Sequence, residues 1–181
     1  MANTDAPFGF RPSGKVGGNP DNGALSEYAI KSDYAVAMFQ GDLVKFASGG
    51  IVDAAVTNAG LMVFNGIQYD DPTTGKPTFK NQYATTTAVA DAFVYDDPYQ
   101  VFEIQADGAY AQTAIQQAAD ITAESGSTTT GVSTQELDSS DIGTGANLLI
   151  IGFSGSPDRG QVGNANGVFK VLIQEHTYAN L

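Results

Sequence analysis

From Leu25 onward the chain alternates short apolar segments with turn signals, and inside most segments the hydrophobic period is two. "LSEYAIK" places Leu25, Glu27, Ala29 and Lys31 on one side and Ser26, Tyr28 and Ile30 on the other. "GDLVKFASGG" starts a strand at Leu43 and Val44, and Gly49-Gly50 turns it into "IVDAAV". "GLMVFNGIQYDD" puts Leu61, Val63, Ile67 and Tyr69 on one face. "DDPTTGKP" is a turn, with Pro72 fixing φ and Gly75 free to take a positive one, and "TFKNQYATTT" resumes in extended-chain residues. "AFVY" and "QVFEIQA" are two further strands; in the second, Phe102, Ile104 and Ala106 oppose a wetter face of Val101, Glu103 and Gln105.

Only one segment has a helical period. In "YAQTAIQQAAD", Ala111, Ala114, Ile115 and Ala118 recur at i, i+3, i+4 and i+7, which predicts one short helix. Ser133 and Glu136 fit an S-x-x-E capping box and predict a single helical turn within a long loop. "NLLIIGFS" is apolar on both faces and reads as a central strand. "GVFKVLIQEHTY" sets Phe169, Val171 and Ile173 against Lys170, Leu172 and Gln174. The first 24 residues have no period and several Pro and Gly, so they read as an extended N-terminal arm (1–24) ahead of one β-rich domain (25–181). The expected fold is all-β: a β-sandwich, jelly-roll-like, or a β-barrel, with that arm and one short helix.

Composition narrows the chemistry. With 8 Lys+Arg against 20 Asp+Glu the net charge is −12, which opposes direct binding of nucleic acid or an anionic membrane. There is no cysteine, so thiolate chemistry, disulfides and cysteine-based metal sites are excluded. The start "MANTDAPFGFRPSGK" lacks the basic and apolar regions of a signal peptide, and no apolar run is long enough to span a membrane; synthesis in a cytoplasm is expected.

Candidate sites are few. His176 is the sole histidine and has no G-x-S-x-G elbow to serve. The carboxylate sets Asp70/Asp71, Asp96/Asp97 and Asp138/Asp141 match no EF-hand spacing, and "YDDP" occurs twice as turn chemistry. "GKVGGNP" fails the P-loop form. No catalytic residue, metal or cofactor is expected. In "VYDDPYQ", Asp97 precedes Pro98 and so favours an extended corner between two strands. Phe8, Phe10 and Arg11 in the arm, Tyr28 in the "LSEYAIK" segment, and Asp96, Asp97 and Tyr99 at that corner, are residue types suited to an interface.

Taken together, "MANTDAPFGFRP", "GDLV", "FNGIQYDDPTTGKPTF", "VYDDPYQVFEIQADG" and "GSTTTGVSTQELDSS" resemble a group of tailed-bacteriophage virion structural proteins, the head cement or decoration proteins. The likeness runs from Met1 to the closing strands, with a variable loop in "FSGSPDRGQVGNANG". It implies a β-rich, non-enzymatic protein on the outer surface of a capsid. Such a protein binds the major capsid protein across subunit junctions and associates with itself, with a homotrimer favoured over a dimer. The alternative is a virion-displayed module that binds carbohydrate or a host surface.

Overall fold

The computed structural model describes residues 3–18, 20–21, 23–54, 59–84, 90–122, 125–145, 147–155 and 162–179. Its strands are β1 (Arg11–Lys15), β2 (Ser26–Ala29), β3 (Met38–Phe39), β4 (Leu43–Ala47), β5 (Gly50–Asp53), β6 (Leu61–Asp70), β7 (Pro77–Lys80), β8 (Gln82–Tyr83), β9 (Asp91–Tyr95), β10 (Gln100–Gln105), β11 (Ala118–Ala119), β12 (Leu148–Phe153) and β13 (Val168–Ile173). Sheet A has the order β1-β10-β13-β12-β11, and sheet B the order β2-β9-β6-β4-β5 with β7 also on β6. Every strand pairing within them is antiparallel. β3 and β8 form a separate ribbon. The fold is an all-β sandwich and not a closed barrel.

One core lies between the sheets. Phe102, Ile104, Ile150, Phe169, Val171 and Ile173 of sheet A meet Leu43, Leu61 and Val63 of sheet B. A second core, built on Met38, Val44, Ile51, Met62, Phe64 and Ile67, fills the other face of sheet B. That sheet curls, so its outer strands approach through a single parallel bridge between Ile30 and Ile51.

The period-two reading holds in β13, which buries Phe169, Val171 and Ile173, and in β2, where Ser26 and Tyr28 are half-covered and Glu27 and Ala29 exposed. In β10, Phe102 and Ile104 are buried as expected, but the face expected to be wet is corrected, since Val101 and Gln105 are buried too. In β6 it holds only halfway. A bulge between Phe64 and Gly66 shifts the register, so Leu61 and Val63 face sheet A while Ile67 joins Met62 and Phe64 in the second core. An extra residue in one strand of a pair moves every later side chain to the other face.

Three further expectations need correction. The helix over 110–120 is reduced to a single 3-10 turn at Gln112–Ala114. Gln116 takes φ 67°, and Ala118 and Ala119 are drawn into β11 on β12. Ser133 caps no helix: its Oγ accepts the Gln135 N–H at 3.1 Å, and the Gln135 side chain reaches the Leu43 N–H at 2.9 Å. Among the described residues there is no α-helix. Finally, the extended arm expected over 1–24, read as lying outside packed structure, is packed in part: Arg11–Lys15 is an edge strand of sheet A on β10. The variable loop expected between the last two strands falls in part on 156–161, outside the described residues.

Candidate interaction surface

Phe10 does not project toward a partner. It is 3% exposed, belongs to the central core and meets Phe102 edge to face at 6.0 Å. Its N–H donates to the Gly41 carbonyl at 2.9 Å, fastening the segment to the β3–β4 turn. Phe10 as a contact residue is therefore corrected: aromatic character at position 10 serves the chain's own core. Upstream, the Gln105 amide accepts the Ala6 N–H at 2.9 Å and donates to the Thr4 carbonyl at 3.0 Å. The face of β10 expected to be wet is thus partly covered by the chain's own N-terminal segment.

Phe8 and Arg11 remain at the surface as a pair. The guanidinium stands 4.3 Å from the Phe8 ring centroid and 3.7 Å from Glu103. With Gln40, Phe64, Asn65 and Tyr95 they border a hollow of about 460 Å³.

The Asp96-Asp97-Pro98-Tyr99 corner carries the chain from sheet B to sheet A. Both carboxylates are engaged. The Tyr28 hydroxyl donates to Asp96 at 2.8 Å and lies 3.0 Å from the Tyr178 hydroxyl. Asp97 pairs with Lys15 at 2.7 Å and accepts the Tyr99 N–H at 2.8 Å. The Lys15 contact, with help from that N–H, holds the Asp97 carboxyl below its ordinary range. Burial, then the bonds to Tyr178 and Asp96, raises the Tyr28 phenol. Tyr99 is 64% exposed and forms the outward tip.

His176 lies near these acids. Its Nδ1 accepts the Tyr178 N–H at 3.0 Å, and burial depresses its pKa while Asp96 and Asp97 pull the other way. The other acidic pairs serve turns: Asp71 accepts the N–H groups of Thr73 and Thr74, and Asp138 accepts the N–H and the hydroxyl of Ser140. Among the described residues no group of three or more His, Asp or Glu could hold a metal ion.

The feature that candidate-by-candidate reading missed is the outer face of sheet A. Val101 of β10, Leu149 and Ile151 of β12 and Leu172 of β13 line a trough of about 490 Å³. Lys15 and Lys170 are its only charged lining residues. Its signal was in the sequence, in the two apolar faces of "NLLIIGFS". The fold buries Leu148 and Ile150 and leaves Leu149 and Ile151 only half-covered. Tyr99 adjoins this face, since its carbonyl accepts the Val16 N–H at 3.0 Å and Val16 is part of the trough. No protein-family model, no curated protein and no solved structure matches the chain.

Proposed function

We propose that the chain is a non-enzymatic virion structural protein of the tailed-phage type, binding the outside of a capsid and cementing adjacent shell subunits. The observation that carries the reading is the aliphatic trough on sheet A: an outer sheet face normally alternates to polar residues, and here Val101, Leu149, Ile151 and Leu172 form an aliphatic patch among the polar ones. A sheet face of this kind adds contact area to a neighbour without any chemistry, which is what a cement must do. Asp96, Asp97 and Tyr28 act as internal struts that hold the Tyr99 corner beside that face. The acidity of the chain fits a position away from packaged nucleic acid.

The test is sedimentation of the purified chain with emptied heads of the phage that encodes it. Saturation at a fixed ratio to the major shell protein is expected; absence of saturable binding overturns the reading.

A second reading rests on the hollow beside the N-terminal segment, where Phe8 and Tyr95 supply rings and Arg11, Gln40 and Asn65 supply donors. Rings and amides at one opening suit a sugar, which stacks on the first and bonds to the second. Glycan-array binding lost in Tyr95→Ala would favour a host-surface module.

A further inference from the structure

One exposed surface has no role in the trough or in the two cores. β7 (Pro77–Lys80) pairs with β6 alone, so among the described residues its outer edge meets no other strand. Phe79 of this strand is 53% exposed. An unpaired edge that also presents an aromatic ring to water is a place where another chain can add. The ring is held in position. A Cβ at Gly66 would stand 2.5 Å from the tip of the Phe79 ring, so the ring lies over bare backbone, and its centroid is 6.1 Å from that of Phe93 on β9.

Charge decides what this edge fits. Glu27 is directly opposite Phe93, and Asp91 and Phe79 are both opposite Gln68. Directly opposed residues share a sheet face, and Asp70, two residues beyond Gln68, follows on it. The two rings are therefore edged by carboxylates. The turn acids Asp71, Asp97 and Asp138 are bonded within the chain, whereas the carboxylates of Glu27, Asp70 and Asp91 make no hydrogen bond or ion pair among the described residues. Lys80, the one cation of β7, is opposite Ile67 and stands 5.0 Å from the Tyr69 ring centroid, on the other face of the sheet. One side of this edge attracts cations and the other repels them.

We infer that the β7 edge binds an extended protein segment that carries Arg or Lys at every second position. Such a segment continues sheet B as a strand along β7; main-chain bonds give affinity and alternate side chains give selection. Its cations lie over Phe79 and Phe93 beside the three carboxylates, and its intervening residues, which face Lys80, are uncharged or acidic. The chain makes a contact of the same kind within itself, where the Arg11 guanidinium stands 4.3 Å from the Phe8 ring centroid. Pro77 at the head of the strand keeps the contact short and the edge from pairing indiscriminately. A second copy joined edge to edge would set carboxylates against carboxylates, which is penalised. None of these residues lines the sheet A trough, so the surface takes a partner in addition to whatever the trough holds.

The experiment uses the purified full chain, without heads, and a synthetic peptide alternating Arg and Thr. Its control is a block peptide of the same composition with the arginines together, because a chain of net charge −12 attracts any cation. Saturable binding of the alternating peptide is expected, with the block peptide at least about tenfold weaker. Phe79→Ser, which leaves the charge unchanged, and Asp91→Asn each weaken the alternating peptide by at least about tenfold. The amide resonances of Thr78, Phe79 and Lys80 shift as it is added. Equal binding of the two peptides, undiminished binding by either folded variant, or shifts confined to other strands overturns the inference. So does self-association of the chain without peptide that Phe79→Ser abolishes, since the occupant is then a second copy. If Phe79→Ser fails to fold, Asp91→Asn and the amide shifts decide. Heads take no part, so failure of the cement reading leaves each of these outcomes unchanged.

Discussion

Gly9 is held at φ 64°, and a Cβ there would meet the Ser133 side chain and stand 2.6 Å from the Gly41 carbonyl oxygen. A left-handed backbone and a missing side chain are both required for residues 8–10 to lie against the β3–β4 turn. Gly9→Ala is expected to cost at least about 2 kcal/mol. Thermal melting should show a fall of roughly 4–8 °C; an unchanged melt would mean that the segment is not docked this way. The "PFGF" string could be read from sequence only as sticky aromatics beside a glycine, because the partner that makes Gly9 necessary lies far along the chain.

Asp42 offers a prediction in pH. Its Oδ2 accepts the Phe39 N–H at 2.7 Å, and burial lifts its pKa from the ordinary 3.8 to about 6. Between those values the folded chain holds a proton that the unfolded chain has lost. Its unfavourable contribution is therefore fully present above the folded pKa and disappears as pH falls toward 3.8. Asp42→Asn should raise stability at pH 7.5 by on the order of 2–3 kcal/mol and make little difference near pH 4. Denaturation across that range checks it; a gain that does not change with pH contradicts it.

The element that sequence reading misplaced most is β1. "RPSGK" shows no alternation of apolar and polar residues, and it becomes a strand because β10 offers it an edge: Arg11 pairs with Glu103 and Pro12 with Phe102. Phe10 then completes the core at the end of that strand. Phe10→Ala should cost about 3–5 kcal/mol. Phe8→Ala, at the surface, should stay within about 1 kcal/mol. Urea unfolding separates them, and equal small effects would restore the picture of a loose arm. Deleting residues 1–15 should accordingly destabilise the domain as well as weaken any binding. β2 and β13 were legible because each keeps one period against one core, and β10 only on its core face, since the N-terminal segment covers Gln105 on the other. β6 was legible only to its bulge, since a register shift depends on the β9 partner. The 110–120 helix failed for a related reason: its thin apolar stripe was outbid by pairing of Ala118 and Ala119 with β12.

At the scale of the whole molecule, the sandwich class followed from the number of short alternating segments, while the surfaces proposed to act did not. Tyr28, Asp96, Asp97 and Tyr99 were picked for residue type; three of them are tied into the corner by internal bonds and only Tyr99 is strongly exposed. The trough required knowing which face of β12 the fold covers. Val101, Leu149, Ile151 and Leu172 of its lining come from three different strands, a convergence that no local pattern contains.

The account turns on that face working by contact, and Leu172→Asp tests it most directly. Leu172 is a half-buried outward residue of β13, so the substitution should leave the core intact. Occupancy on purified heads, measured against the major shell protein alongside a melting curve of the free chain, gives both answers at once. A folded Leu172→Asp chain that no longer occupies the head is the predicted result. A folded variant that occupies it at the level of the unaltered chain would contradict the account.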